Sequence, residues 1–183
     1  MLIIGGSAGS LEVLVQLLPA IHNSLPIAIV IIMHRKPGES VLIQVLSGKT
    51  SWPVKEAEEK ENIQSGTVYV APSDYHLLFE KDKTFSLDFS EKVHYSRPSI
   101  DVSFESAAEV YGASAIAVLL SGANADGAEG LNQIRNAGGV AIVQDPAEAS
   151  VPFMPQQAID NFSVDYVADT KTIADIVNRL ARE

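Results

Sequence analysis

Apolar residues along the chain fall into two alternating patterns, and their alternation predicts the architecture. Leu2 to Ile4, Ala28 to Met33 and Ala115 to Leu120 are continuous apolar runs rich in branched side chains. Such runs mark strands covered on both faces of a parallel sheet. A fourth run, Val140 to Val143, follows the helix-stop signal Asn136, Ala137, Gly138 and Gly139. Between the runs the spacing becomes helical: Leu11, Leu14, Leu17 and Leu18 precede Pro19, and Val41, Leu42, Val45 and Leu46 follow Pro37-Gly38. A helix is also expected over 101–111, after Arg97-Pro98. The end of the chain reads as a short strand and an amphipathic helix with Thr170 as its N-cap. Strands alternating with helices give an α/β fold: a doubly wound, mostly parallel sheet with helices on both faces.

The middle of the chain breaks this rhythm. "GTVYVAP", "YHLLFE" and "FSLDFS" are short, alternating and separated by polar turns. They are expected to form a small antiparallel hairpin insertion. The preceding stretch "KEAEEKE" reads as a solvated charged turn or helix face. Nothing in the chain resembles a linker, so residues 1–183 are expected to form a single domain.

Composition narrows the function. A formal net charge of -10 and a pI near 4.8 argue against non-specific binding to nucleic acid or anionic lipid, which needs a basic surface. Having no cysteine, the chain offers neither a disulfide nor a thiolate nucleophile. Its apolar runs are too short to cross a bilayer, and its first residues lack the features of a signal peptide, so a cytoplasmic location is expected.

Three polar residues follow core strands: Ser7, His34 and Asp126. Ligands of open α/β sheets bind beyond the carboxyl ends of the strands. A serine hydroxyl becomes a useful nucleophile when an imidazole takes its proton and a carboxylate orients that imidazole. Each residue also has a plainer reading. Ser7 and Asp126 suit helix N-caps, with Glu129 as a capping-box partner for Asp126, and His34 suits an ordinary strand end. Nucleotide binding is less well supported, because "GGSAGS" lacks both the lysine of a phosphate loop and the G-x-G-x-x-G spacing. The turn also lacks the G-x-S-x-G of an α/β-hydrolase elbow.

Taken in order, these segments resemble one family, the catalytic domain of CheB-type chemotaxis protein-glutamate methylesterases. "IIGGSAGSLEVL" is similar to the family's Ile-Gly-Ala-Ser-Thr-Gly-Gly turn, and "IVIIMHRKPGES" to its strand ending in histidine. "RPSIDVSFES" and "VLLSGANADGAEGL" are similar to its Arg-Pro-Ser-x-Asp and Gly-x-Asp-Gly-Ala segments. "VYVAPSDYHL" and "GGVAIVQDPAEASVPFMPQQAI" match in order as well.

The resemblance implies Ser7 as nucleophile, His34 as general base and Asp126 as orienting carboxylate, with no metal or organic cofactor. The implied substrate is a methylated chemoreceptor, whose glutamyl methyl esters are hydrolysed; some members also deamidate receptor glutamines. Arg97 is a further candidate for contacting substrate. Ala8, Ser10, Glu39, Ala123 and Asn124 depart from the family pattern, where threonine, glycine, an aromatic residue, methionine and glycine are usual. Ala8, Ala123 and Glu39 motivate an alternative, a binding or signalling module that has kept the fold and lost turnover. The family's receiver domain usually precedes this domain. Here Met1 leads directly into a strand, so either an unregulated single-domain form or a piece of a longer signalling protein is expected.

Overall fold

The computed structural model describes residues 1–35 and 41–182. Seven strands form one parallel sheet: β1 (Leu2–Gly6), β2 (Ile29–Met33), β3 (Val54–Glu56), β4 (Val68–Val70), β7 (Ile116–Leu119), β8 (Val140–Gln144) and β9 (Tyr166–Ala168). Their order is β3-β4-β2-β1-β7-β8-β9. A separate antiparallel pair joins β5 (His76–Phe79) to β6 (Phe85–Asp88).

Alternate strand residues build two cores. Leu2, Ile4, Ile29, Ile31 and Val118 face α1 (Ser10–Ala20), α2 (Val41–Ser47) and α6 (Thr170–Leu180). Ile3, Val30, Ile32, Ala117 and Leu119 face α3 (Ile100–Tyr111), α4 (Ala128–Asn136), α5 (Phe153–Asn161) and the hairpin. A strand turns successive side chains to opposite faces, so an uninterrupted apolar run is what a two-sided core requires.

Several local expectations are corrected. "VYV" does not belong to the hairpin; as β4 it lies between β2 and β3 in the main sheet, parallel to both. Its three residues are all buried, so the pairing is set by long-range packing and not by local alternation. Lys55 and Glu56 are not in a solvated turn but in edge strand β3, where charged side chains protect an open edge. Lys55 still reaches solvent-side carboxylates, pairing with Glu58 and Glu61 at 2.9 and 2.7 Å. The N-cap of α6 is Asp169, which accepts the Thr172 N–H at 2.7 Å, and not Thr170. Helix α5 was not anticipated; its Pro155 lies in the first turn, where a missing N–H is harmless. Pro37-Gly38 and Glu39 lie outside the described residues.

The topology also locates a crevice. From β1 the chain passes to β2 on one side, and later enters β7 on the other side of β1. Helix α1, which follows β1, and helix α4, which follows β7, then cover opposite faces. Loops diverging from adjacent parallel strands leave a cleft at their carboxyl ends.

Candidate active site

Ser7 directly follows β1, with its N–H bound to Ser121 O beyond β7 at 2.9 Å. The chain then needs a sharp turn into α1, and Gly9 supplies it with φ 82. A Cβ at Gly9 would also lie 2.7 Å from both Ser121 Oγ and Ser150 Cβ. Helix α1 has Gly9 as its N-cap and no side-chain capping bond, so Ser7 does not act as the cap. Its carbonyl receives the Ser10 N–H at 3.1 Å, leaving the Ser7 hydroxyl without a hydrogen bond among the described residues. The N–H groups of Ala8 and Gly9 likewise donate to no described group.

His34 stands beside Ser7 because β1 and β2 pair in register through Gly6 and Met33, and the His34 N–H continues the ladder to Gly6 O at 3.2 Å. The half-buried imidazole turns Nε2 to Asp126 Oδ2 at 2.6 Å. Its Nδ1 lies 3.4 Å from Ser96 Oγ.

Asp126 is fully buried and does not cap α4, whose N-cap is Gly127 without a side-chain bond. It sits instead at the start of α3. Oδ2 accepts the Ile100 N–H at 2.7 Å as well as His34. Oδ1 accepts Ser99 Oγ–H at 2.8 Å and the Asp101 N–H at 3.1 Å. A carboxylate at a helix N-terminus meets both unsatisfied N–H groups and the positive end of the helix dipole. Burial alone would raise the Asp126 pKa, but the bonds from His34, Ile100 and Asp101 prevail and hold it below the ordinary value. An ionised Asp126 can only accept, so Nε2 carries the imidazole proton and Nδ1 presents the lone pair.

Asp101 is a second buried carboxylate nearby. Its Oδ1 accepts the Gly130 N–H at 2.7 Å, and Oδ2 lies 3.3 Å from His94 Nε2. Burial pushes its pKa to about 6, with the charge of Asp126 adding to the rise against the Gly130 bond. Close packing of α4 on α3 depends on Gly130, where a Cβ would come 2.7 Å from Phe104 Cβ.

His34 stands between two pockets. One, of about 330 Å³, includes Arg35, Asp74, Ser96 and Arg97 in its walls. The other, of about 360 Å³, is lined chiefly by Leu11, Met33, Val41, Leu42 and Val45. Arg97 is a brace for the first: it binds Asp74 at 2.8 Å, donates to Phe89 O and Ser90 O, and lies 3.8 Å above the Phe89 ring.

The structure thus gathers His34 and Asp126 into direct contact and places Ser7 next to them, without a Ser7–His34 hydrogen bond. Sequence reading missed Ser99 and Ser96, and marked Asn124 only as a departure from the family pattern. The N-cap position of Ser99 before α3 was a usable signal, whereas Ser96 and Asn124 stand in loops that no periodicity marks.

A parallel α/β domain with a serine, a histidine and a buried carboxylate beyond the ends of its central strands belongs to a recognisable class of fold and site. The CheB methylesterase family model matches residues 2–177, and the chain belongs to that family. A Leptospira interrogans relative, named provisionally as a protein-glutamate methylesterase/protein-glutamine glutaminase, is 50% identical over 182 residues, covering 98% of this chain and 93% of the relative. A Methanosarcina mazei protein-glutamate methylesterase/protein-glutamine glutaminase is 33% identical over 189 residues, covering 99% of this chain and 52% of that protein. The crystal structure of the Thermotoga maritima CheB methylesterase catalytic domain superposes with a TM-score of 0.92 at 34% identity, covering 99% of this chain and 96% of that one. Among the described residues, no helix is long and apolar enough to cross a membrane.

Proposed function

We propose that this chain is a serine esterase that hydrolyses glutamyl γ-methyl esters on a chemoreceptor, with Ser7 as nucleophile, His34 as general base and Asp126 as the group that orients it. The observation that carries this reading is the 2.6 Å His34 Nε2–Asp126 contact, built on a carboxylate anchored to α3. It leaves Nδ1 as the nitrogen able to take a proton beside Ser7.

In the first step the Ser7 oxygen attacks the ester carbonyl while Nδ1 receives its proton. The negative oxygen that develops is served by the Ala8 and Gly9 N–H groups, which have no competing acceptor among the described residues. His34 then protonates the departing methoxide, giving methanol and an acyl-Ser7 ester. Water, deprotonated by His34, attacks that ester and releases glutamate and free Ser7. Throughout, Asp126 keeps the Nε2 proton in place and steadies the imidazolium. The same sequence on a glutamine side chain would release ammonia, the second activity in the names of the relatives. Regulation by a receiver domain, in trans or in a longer parent chain, belongs to this proposal.

The free Ser7 hydroxyl supports one competing reading, a receptor-binding module without turnover. Methanol release from a methylated receptor separates the two. The esterase reading requires release by the parent and its loss in Ser7→Ala; equal rates from both proteins would overturn it.

A further inference from the structure

The contact at Nδ1 of His34 is made by the wrong serine for catalysis. Nε2 is committed to Asp126, and the hydroxyl within reach of Nδ1 is that of Ser96, at 3.4 Å. Ser96 closes a tight turn in which Val93 and Ser96 exchange backbone bonds of 3.2 and 2.8 Å. The two residues between them, His94 and Tyr95, have φ of 48 and 62, a region that non-glycine residues occupy only when neighbouring contacts hold them there. Tyr95 is 98% exposed, so little packing holds the tip.

Side-chain bonds do hold it. Asn124 Nδ2 lies 3.3 Å from both His94 O and Ser96 Oγ, while Asn124 Oδ1 accepts the Asp126 N–H at 3.2 Å. An amide nitrogen only donates, so it occupies a Ser96 oxygen lone pair. The Ser96 hydrogen is then left to His94 O or to His34 Nδ1, both at 3.4 Å. A second tether, His94 Nε2 to Asp101 Oδ2, spans 3.3 Å. These contacts are all at the long end of hydrogen-bond range, and each is weak. The base of the turn, by contrast, is fixed by Arg97 on Asp74 and on the backbone of Phe89 and Ser90. A firm base with a weakly tied tip suits a part that is meant to lift.

We propose that Asn124 and Ser96 form a latch that holds the 93–96 turn across Nδ1 of His34, so that the resting protein has its base masked and a polypeptide substrate unmasks it by displacing the turn. The latch deepens the esterase reading of Ser7, His34 and Asp126 and rests on it. While Nδ1 accepts from Ser96 it cannot accept from Ser7. Loss of one weak hydrogen bond should free the base by about two- to fivefold.

The test uses the whole chain and a small fluorophosphonate, which labels Ser7 only while the base is unmasked and brings no polypeptide that could displace the turn. Ser96→Ala and Asn124→Gly should each label two to five times faster than the parent, and the double variant no faster than the better single one, since both break the same latch. Ser96→Thr, which restores a hydroxyl, should reverse most of the gain. With methylated receptor the gain should appear as a lower KM at similar kcat, because the substrate no longer spends binding energy on the turn. Labelling that is unchanged or slower in both single variants overturns the latch, as does full additivity in the double variant or a threonine variant as fast as the alanine one. Failure of the underlying reading has a different signature: Ser7→Ala would label like the parent.

Discussion

Exchanging Asp126 for asparagine probes the carboxylate on which the site is built. The new amide nitrogen must replace either Oδ2, which meets Ile100 N–H at 2.7 Å and His34 Nε2 at 2.6 Å, or Oδ1, which meets Ser99 Oγ at 2.8 Å and Asp101 N–H at 3.1 Å. In either place it opposes a backbone N–H that cannot turn away. The Oδ1 side is the better fit, because the Ser99 hydroxyl can rotate and the opposed N–H is the more distant one. Leaving that N–H unsatisfied costs about 1–3 kcal/mol, and removing a negative charge from the α3 N-terminus costs up to about 2 kcal/mol more. A loss of roughly 2–4 kcal/mol lowers Tm by about 4–16 °C in a domain of this size.

Catalysis should fall more steeply than stability. In the favoured orientation His34 keeps an acceptor at Nε2 but loses the charge that steadies its imidazolium. In the other, the tautomer reverses and Nδ1 can no longer accept. The expected fall in methanol release is on the order of 10²- to 10⁴-fold, reaching the upper end if the tautomer reverses. The folded-state pKa of Asp126 is below its unfolded value, so its contribution to stability is present above pH 3.8 and is lost as pH falls through the folded value. The stability gap between parent and variant should therefore close in acid. A variant that turns over within about threefold of the parent would refute the orienting role; an unchanged Tm at neutral pH would refute the anchoring role.

Two other perturbations have clear directions. Gly9→Ala meets both a left-handed φ and contacts of 2.7 Å with Ser121 and Ser150, and should lower stability by about 2–4 kcal/mol while slowing fluorophosphonate labelling of Ser7; a denaturant titration matching the parent would count against this account of the turn. Asp101→Asn should stabilise at pH 8: a native pKa of about 6 against 3.8 means that ionisation of Asp101 weakens the fold as pH rises between those values, and the amide removes that penalty. Parallel melts should show the advantage shrinking to nothing near pH 4, and an advantage that grows in acid would contradict the sign.

Much of this was legible in the sequence, for identifiable reasons. β1, β2, β7 and β8 are buried on both faces, and an uninterrupted apolar run is the direct expression of that burial. Ser7 and His34 could be placed together because both end such runs. The plainer expectation for Asp126, a cap on the helix that follows it, fails because the helix it anchors begins 26 residues earlier, at Ile100, and no local pattern connects them. The same limit applies to Val68–Val70, whose three residues are too few to distinguish a hairpin from the buried interior of a sheet. Asn124 was visible only as a departure from a family pattern; its two-sided bonding to Asp126 and to the 93–96 turn depends on folded proximity.

The Asp126 carboxylate has a consequence for how this protein behaves before it is fully folded. It joins residue 34, the start of α3 and the loop after β7, segments that come together only when α3 has docked. On the proposed esterase reading, a chain with α3 detached lacks the carboxylate contact that aligns His34, and so has no activated serine. Hydrolysis would thereby be restricted to finished molecules, and the labelling rate of Ser7 would become a measure of the fraction of chains that have completed assembly.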